Sequence, residues 1–115
     1  MKKIFGVLIT ILLFSQTFPA QTNVDSLINL INKSSDKEKL SILIKIGYYL
    51  GSYNPNEAVK YLDQAIDLSE KLDLKGKKAD ALFNKGVALW HLGQIQESED
   101  LYNQAKIIYE ELKDT

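Results

Sequence analysis

The feature that most constrains this chain is an internal duplication in its second half. Gly47 recurs 39 positions later as Gly86, and Ala65 recurs 40 positions later as Ala105. The apolar residues that surround each glycine and each alanine recur with them. Repeats of about 20 to 50 residues are typical of supersecondary units that stack and share a core. The duplication therefore predicts an array of packed hairpins, and it directs the functional question toward binding rather than a reaction.

Length and composition limit the chain to one small folded domain. It has 115 residues, of which 45% are hydrophobic and 25% are charged, and its formal net charge is −1. All fourteen basic residues are lysines, so bidentate arginine contacts to phosphate or carboxylate are excluded. No basic stripe indicates binding of nucleic acid. The absence of cysteine excludes disulfides, thiolate metal sites and thiol catalysis.

Residues 1–20 have the order of a secretory signal peptide. Lys2 and Lys3 precede an apolar run over Ile4–Phe14, and polar and small residues follow up to Ala20. The run is eleven residues long, shorter than the roughly 20 residues that a membrane-spanning helix needs. We expect export, cleavage after Ala20, and a location in the periplasm or on the extracytoplasmic face of the membrane. The alternative is an uncleaved anchor, through which alone the chain would attach to the membrane.

The remaining chain is predicted to fold as five helices without strands. Residues 21–36 should form a short helix, capped at Thr22 or Asn23, and a turn. Its apolar stripe at helical spacing is Val24, Leu27, Ile28 and Ile31. Ser35 and Glu38 have the spacing of a capping box that starts the second helix. The buried face of that helix is expected to be Leu40, Leu43, Ile46, Gly47 and Leu50.

The later helices are delimited by proline, glycine and capping residues. Asn54 is expected to cap the third helix, with Pro55 in its first position and Glu57 in its first turn. A turn is predicted at Leu74–Lys77, and Gly93 should end the fourth helix. The fourth and fifth helices are then expected to span residues 78–92 and 95–112.

Turns this short make neighbouring helices antiparallel, so the chain should form two hairpins. These repeats are predicted over residues 37–76 and 77–115, and they should stack because no single helix can bury its apolar face alone. The second hairpin has no evident polar helix to cover it. We therefore expect that the natural array continues, or that the chain is a truncated product.

This pattern resembles the tetratricopeptide repeat over residues 40–112. The matching positions of the first copy are Leu43, Gly47, Leu50, Ala58, Leu62 and Ala65, and those of the second are Leu82, Gly86, Leu89, Gly93, Ser98, Tyr102 and Ala105. Small residues at these places allow two helix backbones to approach closely. Lys85 departs from the family's usual leucine, and the repeats are longer than the usual length of about 34 residues. The resemblance implies a short right-handed all-α solenoid.

The resemblance also implies a function in binding. The expectation is an exported, non-catalytic module that binds a protein or peptide. Repeats of this length resemble the arrays that precede the output module in exported or membrane-anchored bacterial signalling proteins. One alternative is therefore the N-terminal sensory segment of a sensor histidine kinase or a helix-turn-helix regulator. A second alternative is a structural solenoid that self-associates through the open end of the last hairpin.

In this family the concave surface is lined by the first helix of each hairpin. The resemblance places the following residues there: Ile44, Tyr48, Asp80, Phe83, Val87, Trp90 and His91. Exposed apolar side chains of this kind usually mark an interaction site. The alternative, which the sequence leaves equally open, is that the helix over Val24–Ile31 or a further repeat covers this surface.

No residue pattern indicates catalysis, a cofactor or a metal. His91 is the single histidine, and it has no cysteine or carboxylate at ligand spacing. One histidine and unlinked serines do not make a catalytic triad. The glycines lack the spacing of a phosphate-binding loop. We interpret the lysines of the Lys75–Lys78 segment as a basic turn between repeats rather than as a phosphate site.

Overall fold

The computed structural model describes residues 19–113, which form helices joined by short turns, with no strand in that range. The five helices are α1 (Pro19–Ile31), α2 (Asp36–Leu50), α3 (Pro55–Lys71), α4 (Lys75–His91) and α5 (Ile95–Lys113). The predicted all-α class is confirmed. The predicted signal peptide lies outside the described residues except for its last two positions, and the limits assigned to the repeats stay predictions.

The start of α2 is confirmed in detail, whereas the start of α3 is not. The Glu38 amide donates to the Ser35 hydroxyl oxygen at 3.3 Å, and the Ser35 amide donates to the Glu38 carboxylate at 3.3 Å. Asn54 does occupy the N-cap position of α3, followed by Pro55, but its side chain makes no capping hydrogen bond. Its side chain was therefore wrongly expected to cap the helix, and the fixed φ of Pro55 remains as the local signal.

The turn predicted at Leu74–Lys77 is wrong, because α4 already begins at Lys75. The chain reverses earlier, where Asp73 adopts a positive φ of 54°. The Leu74 amide donates to the Ser69 carbonyl at 2.9 Å, which is the hydrogen bond of a Schellman motif. Gly93, with φ of 80°, ends α4 in the same way. The first of these ends was missed because its left-handed residue is an aspartate rather than a glycine.

Two glycines set how closely the helices of each hairpin cross. A Cβ atom at Gly47 would overlap the side chain of Leu62 on α3. A Cβ atom at Gly86 would lie 2.7 Å from the ring of Tyr102 on α5. Both glycines are buried, and close packing of the two helices in each hairpin therefore requires a residue without a side chain.

The second hairpin packs beside the first, so that α4 contacts both α3 and α2. All five residues predicted for the inner face of α2 are buried, and Leu62 and Ala65 of α3 are buried against them. Ala81 of α4 joins Ala65 in one core cluster. The small residues that were identified from the duplication therefore lie where helices meet.

The N-terminal helix packs on α2 and supplies one well-buried side chain, Val24. Leu27 and Ile31 pack against the same core at its edge. Ile28, the remaining member of the predicted apolar stripe, is exposed. Helix α1 also begins at Pro19, before the predicted cap at Thr22 or Asn23. It leaves Tyr48 of α2 largely exposed, so α1 does not cover the surface around that residue.

Candidate partner-binding surface

A groove runs between α2 and α4, the first helices of the two hairpins. It contains a cavity of about 350 Å³. The lining residues come from the C-terminal end of α2, the turn after it and the middle of α4: Gly47, Tyr48, Tyr49, Gly51, Ser52, Phe83, Asn84 and Val87. Three of the seven residues predicted for the concave surface, Tyr48, Phe83 and Val87, thus lie together.

The side chains at this groove are exposed and apolar. Tyr48 is 68% exposed, Phe83 is 46% exposed, and Val87 is half-buried beside them. Their helix backbones are held by the buried faces of α2 and α4. The groove is therefore a surface of fixed shape whose apolar area contacts water, and such patches typically mark interaction sites.

Neighbouring rings restrict the aromatic side chains of the groove. Tyr48 and Tyr49 meet edge to face, with ring centroids 5.6 Å apart. Phe83 lies against Tyr102 of α5 at a centroid separation of 5.3 Å. Sequence reasoning missed Tyr49, which a helical repeat places on a different side of α2 from Tyr48. The contact between Phe83 and Tyr102 was also missed, because Tyr102 lies on another helix and helical spacing does not predict contacts between helices.

Polar groups of the groove come from the end of α2 and the middle of α4. Ser52 is exposed just after the end of α2, and a Cβ atom at the preceding Gly51 would lie 3.9 Å from Val87. Asn84 donates from its amide nitrogen to the Asp80 carbonyl oxygen at 2.9 Å. This hydrogen bond fixes the Asn84 side chain against its own helix. An apolar groove with a few fixed polar groups is typical of sites that bind a peptide or a side chain.

Trp90 and His91 lie at the C-terminal end of α4, beyond the cavity that Val87 lines. Both are exposed, and their rings meet edge to face at a centroid separation of 5.1 Å. Trp90 is 54% exposed, so it extends the apolar surface by about one helical turn. Ile44, by contrast, is half-buried against the core cluster of Leu43 and Ala81, and it does not line the cavity.

Asp80 lies apart from the groove, near the start of α4. Its carboxylate accepts a hydrogen bond from the Tyr109 hydroxyl of α5. Burial, together with this hydrogen bond and the negative charge of Asp80, raises the pKa of Tyr109 above its usual range. The carboxylate thus joins two helices, and the structure does not bring it to the cavity that holds Tyr48.

An ion pair explains the sequence's departure from the family pattern at Lys85. Its ammonium nitrogen lies 2.7 Å from a carboxylate oxygen of Asp63 on α3, and its side chain is 23% exposed. The lysine therefore lies along the contact between the hairpins, where its stem packs and its charge has a partner. Sequence reasoning missed this pair because the two residues are distant in the chain.

Residues 19–113 contain neither a cluster of metal ligands nor a membrane-spanning helix. No cluster of three or more histidine, cysteine, aspartate or glutamate residues that could hold a metal ion occurs there. In the same part of the chain, no helix has both the length and the apolar composition that a membrane span requires.

This geometry consists of helix pairs, glycines at their crossings and a groove between first helices. Comparison with known families tests whether the chain belongs to a repeat family. The family model described as tetratricopeptide repeat matches residues 47–111, more than half of the chain. The chain belongs to the tetratricopeptide repeat family. Its predicted solenoid class is thereby confirmed. The chain matches no curated protein and no solved structure.

Tetratricopeptide repeats are typically non-catalytic interaction modules that bind proteins or peptides. The match includes Tyr48, Phe83 and Val87, so the groove lies within the tetratricopeptide part of the chain. The partner-binding roles of the seven residues predicted for the concave surface stay predictions.

Proposed function

We propose that this tetratricopeptide chain is an exported, non-catalytic module that binds a protein or peptide in the groove between α2 and α4. The observation that carries the proposal is the exposed apolar surface of Tyr48, Phe83 and Val87 around a cavity of about 350 Å³. Burial of such a surface contributes roughly 25 cal/mol per Å² of apolar area. The ligand is an extended or helical segment that presents apolar side chains.

The composition of the groove favours recognition by shape and apolar contact. Tyrosine and tryptophan are among the residues that contribute most at interfaces, because they bury a large area with few rotatable bonds. Tyr48 lines the cavity, and Trp90 is exposed one helical turn beyond Val87. No basic residue lines the cavity to hold a carboxylate terminus. An internal segment of a partner therefore fits the groove better than a free C-terminus.

The test begins with selection of groove ligands from a displayed peptide library, using the full chain as bait. Affinities of a selected peptide are then measured by fluorescence anisotropy for the wild type and for Tyr48→Ala, Trp90→Ala and Phe83→Ala. We expect a loss of affinity of about tenfold or more for each, with the helical circular dichroism unchanged.

Ile107→Ala supplies the matched control, since Ile107 is exposed and apolar but lies on α5 and does not line the groove. It should bind the peptide as the wild type does. Equal affinities for Tyr48→Ala and Ile107→Ala would remove the groove from the proposal. Unfolding of both Trp90→Ala and Phe83→Ala would instead assign those side chains to the core.

The location belongs to the same proposal and has its own support and test. The basic pair Lys2-Lys3 and the apolar run Ile4–Phe14 are the features of an export signal. Mass spectrometry of the protein from an extracytoplasmic fraction should find a chain that begins at Gln21. Recovery of the protein in the cytoplasm with Met1 retained would exclude export.

A role as the sensory segment of a larger signalling protein would use the same groove. Reading the coding frame past Thr115 distinguishes this alternative from the stand-alone module. A membrane-spanning segment followed by a kinase or a DNA-binding domain would support the sensory segment, and a stop codon would support the module.

A further inference from the structure

The two hairpins present equivalent faces, and only the first is covered by another helix of the described chain. On the first hairpin, Ile66 of α3 packs against the buried cluster that includes Ala79 and Leu82 of α4. Glu70 of α3 accepts an ion pair from Lys78 of α4, with an N–O distance of 3.1 Å. The duplication therefore supplies a template for what an occupant of the second face must contact.

On the second hairpin the equivalent face is open and holds an apolar pocket of about 300 Å³. Ala105 is buried in it, and the remaining lining residues are Phe83, Tyr102, Lys106, Tyr109, Glu110 and Lys113. We call these residues the α5 face. Three aromatic rings next to a small residue form a receptor for a bulky apolar group.

The composition of the α5 face differs from that of its covered counterpart in one informative way. Lys106 stands at the position of Ile66, and Tyr109 stands at the position of Ser69. A helix packed permanently as α4 packs on Ile66 would have to bury the charged side chain of Lys106, which carries a desolvation cost that Ile66 does not. Aromatic residues mixed with charges are typical of surfaces that associate and separate. The α5 face therefore suits a separable partner.

The charges on the α5 face complement themselves. Lys106 and Glu110 are both exposed and lie one helical turn apart. When two copies of α5 lie antiparallel about a two-fold axis, each Lys106 faces Glu110 of the second copy. Because the contact is repeated by symmetry, one sequence pattern produces two ion pairs. The axis then crosses α5 at the level of residue 108, one residue from Tyr109, so the Tyr109 rings of the two copies come close to each other.

We propose that a second copy of this chain docks on the α5 face through antiparallel α5 helices. The docked arrangement places Lys113 over the ring of Tyr102 of the second copy, in a cation–π contact. It also places a lysine opposite Glu110, as Lys78 lies opposite Glu70 on the first hairpin. The surface shares Phe83 with the groove between α2 and α4, but Lys106 and Glu110 do not line the groove, so this proposal can be tested independently of the proposed function.

The aromatic rings of the α5 face are held in place before docking. The hydroxyl of Tyr109 donates to Asp80, and Tyr102 lies against Phe83 at a centroid separation of 5.3 Å. Side chains that are already ordered lose little conformational entropy when they enter an interface. Docking therefore costs little further conformational entropy for these rings.

The test is a charge exchange followed by sedimentation velocity on the full chain over a wide range of concentration. We expect the wild type to dimerise, and Lys106→Glu and Glu110→Lys each to raise the dimer Kd by about tenfold or more, because like charges then face each other. The double variant Lys106→Glu/Glu110→Lys should recover a Kd within about threefold of the wild type. An equimolar mixture of the two single variants should form a heterodimer, because opposite charges then face each other at both contacts.

Controls separate this interface from other sources of association. Trp90→Ala, in the groove region, should dimerise as the wild type does, and the helical circular dichroism of all variants should match. A wild type that is monomeric at every concentration would overturn the proposal. So would single variants that associate as tightly as the wild type, since association would then come from the apolar residues 4–14, the groove or another surface.

Discussion

Ser98 of α5 donates its hydroxyl hydrogen to the carbonyl oxygen of Gly86 of α4 across 2.7 Å, within the buried crossing of the second hairpin. Both residues were identified from the duplication as small residues that allow close approach. The hydrogen bond is a contact that the small size of Ser98 alone did not predict. The hydrogen bond joins α5 to the α4 backbone at Gly86, where α4 has no side chain.

The first prediction concerns this hydrogen bond. Ser98→Ala keeps the packing but removes the donor, so we expect the free energy of unfolding to fall by about 1 kcal/mol. Urea denaturation followed by circular dichroism measures the change. Ser52→Ala, at an exposed serine, is the control and should leave the unfolding midpoint unchanged. An equal midpoint for Ser98→Ala would show that the buried hydroxyl contributes nothing to stability.

The second prediction concerns the glycines at the crossings. Gly47→Ala introduces a Cβ into the space of Leu62, and we expect a loss of about 1 to 3 kcal/mol in the free energy of unfolding. The matched control is Gly76→Ala in α4, where the nearest heavy atom to a new Cβ is Leu112 Cδ1 at 3.5 Å. Ordinary contact and higher helix propensity should stabilise that variant by about 0.5 kcal/mol. Thermal and urea unfolding measure the stability of both variants. Equal changes in stability for Gly47→Ala and Gly76→Ala would contradict the close crossing at Gly47.

The third prediction concerns the ion pair between α3 and α4. Asp63→Ala leaves the Lys85 ammonium without its partner at a partly buried site, so stability should fall by about 1 kcal/mol. Lys85→Leu restores the family's usual residue and should be neutral or stabilising, because an apolar side chain suits this contact. A double-mutant cycle with both changes should show a coupling between the two positions. Additive effects would mean that the 2.7 Å contact contributes no stability.

The fourth prediction concerns alkaline pH. Burial and Asp80 raise the pKa of Tyr109 in the folded chain above its ordinary value of 10.0, whereas the unfolded chain keeps that value. The contribution of Tyr109 is therefore complete below pH 10 and is lost as the pH rises beyond it, since the unfolded chain releases the proton first. Burial and Asp25 also raise the pKa of Tyr53, which adds a loss of the same sign.

Tyr109→Phe isolates the contribution of Tyr109. Stability is measured by urea unfolding at several pH values from 8 to 11, and the wild type should lose more stability above pH 10 than Tyr109→Phe does. All other residues are the same in both proteins, so their contributions cancel in the difference. If stability changed with pH in the same way in both proteins, the Tyr109–Asp80 contact would not raise the pKa of Tyr109.

Sequence reasoning failed at three places, each for its own physical reason. Asp73 ends α3 in a left-handed conformation that is usually signalled by glycine, so the start of α4 was placed too late. Lys85 departs from the family pattern because Asp63, which is distant in the chain, lies beside it. Ile44 was assigned to the concave surface because of its register on α2, but the neighbouring hairpin draws it toward the core.

The sequence by itself determined the five helices, their pairing into hairpins and the buried small residues, because periodicity and duplication encode local contacts that repeat. Gly47 and Gly86 could be assigned to helix crossings without coordinates, since a small residue at the same place in two copies has a packing role. Only the tertiary structure decided which exposed side chains lie together. Tyr48 and Phe83 meet at one groove, and Asp80 is drawn away from it to Tyr109, because those relations depend on how the second hairpin rotates and stacks on the first.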